Sequence, residues 1–191
     1  MTRRRFAACA AAVLGTAALG TLGAPALAGA APVGPHRVEG MMTVARFDAT
    51  VAAAHGYEIR TNPDGTQYSV RKGAQAGLPP ANVVTGDCGR SWVWEDGIGH
   101  LRVRLSTGFF VRLPTVSRSW DVTLDDNGGE STQPFSSGFP SDRFWNEDRT
   151  VPGLTAGPGY AVVRGGGANF AILVDGAVCY SGGPSASTTI F

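Results

Sequence analysis

From residue 87 onward the chain is written largely in period two. Leu101, Val103 and Leu105 fall on one side of a run, Arg102 and Arg104 on the other. Trp120, Val122 and Leu124 alternate in the same way with Ser119, Asp121 and Thr123. Alternation of this kind marks a strand with one face in a core and one in water. It predicts strands over 91–95, 100–105, 109–113, 117–124, 161–164 and 177–181, with a weaker one over 144–151. Residues 169–174 are apolar on both faces, which predicts a central strand. Turns are supplied by Asp96-Gly97-Ile98-Gly99, by Asp125-Asp126-Asn127-Gly128-Gly129 and by the two-residue hairpin turn Asp175-Gly176. Residues 130–143 read as the longest loop, and 183–191 as a loose polar tail. About seven strands at this spacing predict an all-β fold, an antiparallel β-sandwich or a small barrel, and the pattern does not separate the two.

A different pattern precedes this domain. Asp48 is a good N-cap, residues 49–55 favour helix, and Gly56 supplies a left-handed stop. The stretches 57–61 and 66–70 alternate around Asn62-Pro63-Asp64-Gly65, a hairpin signature. Neither piece is stable alone. Residues 31–46 read as an unstructured lead-in and 72–86 as a Gly, Ala and Pro-rich linker. The expected organisation is a leader over 1–30, a lead-in with helix and hairpin over 31–86, a β domain over 87–182, and the tail.

The first thirty residues change the picture of where the chain goes. Arg3-Arg4-Arg5 precede an apolar Ala, Leu, Val and Gly stretch, and Ala26-Leu27-Ala28 and Ala28-Gly29-Ala30 both suit a signal peptidase. The run is long enough to span a bilayer, but its Gly and Thr content and Pro25 favour a cleaved secretory signal over a membrane anchor. Thr2-Arg3-Arg4-Arg5-Phe6 also resembles a twin-arginine address, so the route of export stays open. The expected location is extracellular.

Removal of the leader takes three of 16 basic residues and none of the 15 acidic ones, leaving 13 against 15 and a net charge of −2. No basic patch emerges, so nucleic acid is excluded as a partner. Cys9 departs with the leader, and only Cys88 and Cys179 remain. Two cysteines in an exported chain permit one intramolecular disulfide.

No catalytic motif stands out, and no cofactor or metal is expected. The strongest chemical signal is aromatic. Trp92 and Trp94 lie two apart on a predicted strand and so share a face. They either belong to the core, as tryptophans usually do, or form a platform on which sugar rings stack. Trp145, beside Arg143 and Asn146 near a polar loop, is the tryptophan expected to be most exposed. Asp125, Asp126, Asn127 and Glu130 carry hard oxygens of the kind calcium prefers, but their spacing reads better as a hairpin turn. His100, with Glu95, Asp96 or Asp121 to orient it and Ser91 or Ser106 as nucleophile, would be the centre of a hydrolase. No Gly-x-Ser-x-Gly or zinc motif accompanies it. Glu95 and Asp121 are a carboxylate pair of the type glycoside hydrolysis uses, with nothing in the sequence to make them converge.

Two resemblances add to this. Leu154, Gly157-Pro158 and Tyr160 opening a strand resemble the tyrosine corner of immunoglobulin-like and fibronectin-like sandwiches. The segments Ala54-His55-Gly56-Tyr57-Glu58-Ile59-Arg60-Thr61, Pro63-Asp64-Gly65, Gly86-Asp87-Cys88-Gly89 and Val178-Cys179-Tyr180-Ser181 resemble a group of small exported actinobacterial proteins. That resemblance implies secretion and the cysteine pair, and no particular chemistry. The expected function is a secreted, non-catalytic module that binds cell wall or extracellular polysaccharide through Trp92, Trp94 and Trp145. A hydrolase centred on His100, or a protein-interaction module such as a protease inhibitor presenting loop 130–143, are the alternatives.

Overall fold

The computed structural model describes residues 37–74, 88–136 and 142–191. The leader, most of the linker and the tip of the 130–143 loop lie outside them. The elements run β1 (Val38–Phe47), α1 (Ala49–Ala54), β2 (Tyr57–Thr61), β3 (Gln67–Arg71), β4 (Gly89–Gly97), β5 (Val103–Val111), β6 (Thr115–Ser119), β7 (Asp121–Asp126), β8 (Gly129–Pro134), β9 (Phe144–Val151), β10 (Gly157–Val162), β11 (Phe170–Leu173), β12 (Ala177–Tyr180) and β13 (Ser185–Ile190). The fold is all-β and antiparallel, as expected. A seven-stranded sheet of order β6-β11-β12-β1-β4-β5-β9 lies against a four-stranded sheet of order β13-β10-β7-β8, and β2 and β3 pair as a separate hairpin.

The shared core follows from the alternation. Val93, Val103, Leu105, Phe109, Leu173 and Cys179 from the larger sheet meet Val122, Leu124, Ala161, Ala186 and Ile190 from the smaller. The larger sheet curls. Its edge strands approach each other closely enough that Arg118 of β6 lies 4.3 Å from the ring centroid of Trp145 on β9. The result is a sandwich whose larger layer bends toward a half-barrel.

Five stretches differ from the sequence expectation. Residues 38–46, expected to belong to an unstructured lead-in over 31–46, form β1 together with Phe47, in the middle of the larger sheet. The first half of β1 pairs with β4 (Met42 with Gly89) and the second half with β12 (Thr43 with Tyr180). A bulge between Val44 and Arg46 breaks its alternation, which hides it from a period-two reading. Residues 117–124, read as one strand, are two strands in different sheets. The chain turns the corner at Trp120, whose carbonyl accepts the Phe135 N–H at 2.8 Å and whose indole N–H donates to Thr107 Oγ1 at 2.9 Å. The loop expected from residue 130 begins instead as β8, paired with β7 through Asp125–Glu130 and Leu124–Ser131. The tail expected to be loose is β13, paired with β10 along its whole length. Strand 100–105 likewise starts later, at Val103, and continues unbroken to Val111.

The expected disulfide joins Cys88 to Cys179, with Cα atoms 5.8 Å apart. Cys88 precedes β4 and donates its N–H to Met42 O at 2.8 Å, and Cys179 sits opposite Val44. The bond therefore fastens the two partners of β1 together where β1 passes from one to the other.

The helix and hairpin dock through the Asp175-Gly176 turn. Asp48 caps α1 by accepting the Thr50 and Val51 amides, as its N-cap position predicts, and its own N–H donates to Gly176 O at 2.7 Å. A Cβ on Gly176 (φ +85°) would come within 2.4 Å of Asp48 O, so only glycine lets the turn approach the helix. Asp175 is fully buried. Its Oδ2 accepts from Ser69 Oγ on β3 at 2.7 Å and from the Arg112 guanidinium at 2.6 Å, and its Oδ1 accepts the Ala177 N–H at 3.1 Å.

Two outcomes are expected. Replacing both Cys88 and Cys179 with Ser releases a loop with a sequence separation of 91, and urea denaturation should show a loss of about 4–5 kcal/mol. Asp175→Ala should cost about 3 kcal/mol by the same measurement, with amide exchange rising first in α1, β2 and β3.

Candidate ligand-binding face

Strand β4 alternates between the two surfaces of its sheet, and the alternation decides what each side chain does. Ser91, Val93 and Glu95 point inward and are buried. Trp92 and Trp94 point outward, away from the core. The register sets their neighbours. Glu39, Trp92, Gly108 and Asn146 form one row across β1, β4, β5 and β9, and Met41, Arg90, Phe110 and Phe144 form the next. Trp94, Ser106 and Asp148 form a third.

Trp92 lies flat on the sheet over Gly108. A Cβ there would sit 2.4 Å from Trp92 Cζ2, so the glycine makes room for the indole. The Arg37 guanidinium lies 3.9 Å from the Trp92 ring centroid, and Phe144 stacks on the ring at 5.5 Å with an interplanar angle of 26°. These neighbours bury Trp92 although it faces outward. The surface that remains open is made by half-buried Trp94, by Phe110 (44 % exposed) and by Phe144 (51 % exposed). A shallow pocket of about 320 Å³ is lined by Arg37, Trp92, Trp94 and Ser106.

Arginines edge this face. Arg37 and Arg90 share Glu39 at 3.2 and 3.5 Å, and Arg104 lies 3.7 Å from Asp148 and 5.8 Å from the Trp94 centroid. Exposed pairs of this kind add little to stability. They do place hydrogen-bond donors and acceptors around an aromatic surface, the composition of a site that stacks and orients a polar ring.

The other residues singled out in the sequence are dispersed. Trp145, expected to be exposed, points inward from β9 and is buried. It packs with Phe109 at 5.4 Å and Trp120 at 5.9 Å, so it belongs to the core and not to the outward face. Its neighbour Phe144 takes the outward position. His100 is exposed in the β4–β5 turn, where both it (φ 55°) and Leu101 (φ 53°) adopt left-handed conformations. Ser91 is buried against Ser181 Oγ at 3.1 Å, Ser106 lies on the outward face, and Asp121 accepts from Asn169 Nδ2 at 3.2 Å. None of them hydrogen-bonds to His100 among the described residues. The Asp125–Glu130 segment is a hairpin turn. Asp126 accepts the Gly128 and Thr155 amides at 2.6 and 2.9 Å, and no described His, Cys, Asp and Glu side chains gather three together for a metal. Tyr160, from the corner-like segment, is exposed on the smaller sheet.

Glu95, a candidate catalytic carboxylate by its sequence, is buried between the sheets at 1 % exposure. Neither carboxylate oxygen makes a hydrogen bond of ordinary geometry. Desolvation raises its pKa from 4.5 to about 7, offset only in part by the nearby Ala161 N–H.

No protein-family model, curated protein or solved structure matches the chain. No helix among the described residues is long and apolar enough to cross a membrane.

The carboxyl of Glu95 holds its proton more tightly in the fold than in the unfolded chain. Below pH 4.5 both states are protonated and there is no penalty. Between pH 4.5 and about 7 the unfolded chain ionises first, so stability falls as pH rises, by on the order of 3 kcal/mol in all. Denaturation at a series of pH values should show this decline in the parent and its absence in Glu95→Gln.

Proposed function

We propose that the protein is an exported, non-catalytic module that binds cell wall or extracellular polysaccharide on the outward face of β1, β4, β5 and β9. The observation that carries this reading is the outward placement of Trp92 and Trp94, beside exposed Phe110 and Phe144 and above an open pocket edged by Arg37 and Ser106. Trp92 acts as the fixed base of the surface. Trp94, Phe110 and Phe144 offer rigid apolar area for the faces of sugar rings, at small entropic cost because an aromatic side chain has two torsions to fix. Arg104, Asn146 and Asp148 stand where ring hydroxyls would need partners. Export is supported by the basic and apolar leader and by a disulfide that an oxidising compartment preserves.

The test is retention of the protein on insoluble chitin, cellulose, xylan and purified cell wall. Trp94→Ala and Phe144→Ala should each weaken retention by about three- to tenfold. Tyr160→Ala, on the other sheet, should leave it unchanged. Failure of the parent to bind any matrix, or equal retention of all three variants, would overturn the reading.

A further inference from the structure

Strand β13 reaches the rest of the molecule in two ways. It pairs with β10 through a full backbone ladder. Against β4, its neighbour in the opposite layer, it makes no ladder. The amide of Gly97 donates to Thr188 Oγ1 at 3.0 Å, and in the following turn the amide of Leu101 donates to Phe191 O at 3.0 Å. Gly97 has no Cβ where Thr189 O approaches, since one would lie 2.1 Å away. The contact is close, but few polar links span it.

Glu95 sits behind this seam. An added Cβ at Gly159 would lie 2.9 Å from Glu95 Oε1 and 2.9 Å from Ile190 Cδ1, so the carboxyl is boxed in by β10 and the side chain of β13. Both oxygens lack hydrogen-bond partners. No charge faces it from the strands that enclose it. β13 holds no titratable side chain, and on β10 the one titratable group, Tyr160, is exposed on the opposite surface. On β5 the inward neighbours are Val103, Leu105 and Thr107, while Arg104 points outward. The nearest charged groups sharing its surface are on β9, where Arg149 lies beyond Leu105 in register and pairs with Glu147 at 3.5 Å. Two strand spacings put the Arg149 backbone roughly 10 Å from that of Glu95, and the guanidinium turns to the Phe135 ring at 4.7 Å.

We propose that Glu95 is a proton-operated latch for the C-terminal strand: neutral, it lets β13 seat against β4, and ionised, it drives that seam open to water. A neutral carboxyl fits an apolar box at modest cost. A carboxylate there has no counter-ion and no donor of good geometry, and such a group must gain water or a proton. The raised pKa noted above puts the change near neutrality. β13 is the part that yields, because it is an edge strand laddered on one side only, to β10, whereas β4 and β10 are each laddered on both sides, and the β4–β13 contact itself is held by side chains and single bonds.

Amide hydrogen exchange of the protein at pH 5.5 and pH 8.0, corrected for the intrinsic pH dependence of exchange, tests this. Protection of the Gly97 and Leu101 amides should fall by about tenfold or more across that range, while the β4–β5 ladder amides hold theirs. In Glu95→Gln the two reporters should show equal protection at both pH values. Unchanged protection in the parent would overturn the proposal, and so would a loss spread evenly over both sheets. Carbon-13 NMR titration of the Glu95 carboxyl in the parent gives a measurement independent of the variant's folding. Titration at an ordinary carboxylate pH would overturn the proposal as well.

Discussion

Strand β1 has a different partner for each half of its length, and the larger sheet is continuous only because those partners are held together where it changes over. Met42 is the last residue opposite β4 and Thr43 the first opposite β12. At such a point neither ladder by itself spans both partner strands. The Cys88–Cys179 bond closes that point covalently. The position of the outward aromatic face follows, because its rows are counted off from β1 through β4 and β5 to β9. The sheet as a whole curls enough to bring Arg118 over Trp145 and enclose the aromatic core of Phe109, Trp120 and Trp145.

Much of this was legible in the sequence. The all-β class, the disulfide, the helix cap at Asp48, the hairpin at 57–70 and the burial of Trp120 all come from strong local signals. What escaped was structure whose warrant is tertiary. β13 reads Ser-Ala-Ser-Thr-Thr-Ile, polar enough to pass for a tail, and only Ala186 and Ile190 reach the core. β1 is a strand because two others need a neighbour, and its bulge disguises the period. β8 is exposed at every position but half-buried Gln133, and its pairing follows from the turn before it.

The candidate site shows the same division. That Trp92 and Trp94 share a face was a matter of arithmetic. Which face was not, because inward and outward are properties of the sheet and not of the pair. The sequence signal from Glu95 misleads. With Val93 it defines the opposite surface of β4, and a strand carrying two tryptophans on one side and a glutamate on the other invites the tryptophans into the core. The fold does the reverse. Gly108 helps make that arrangement possible, by leaving no Cβ on the outer surface where the indole edge lies. Trp145 was misplaced by one residue of phase, and Phe144 occupies the position expected of it.

The central place of β1 also bears on the order in which the molecule can assemble. The strand nearest the start of the described chain must wait for β4 to complete one half of its pairing and for β12 to complete the other. Contacts so distant along the chain are slow to form. Until β12 has been made, an emerging polypeptide has nothing to close its larger sheet upon. The larger sheet therefore cannot be completed until β12 is available to the half of β1 that follows Met42, however early the local hairpins form.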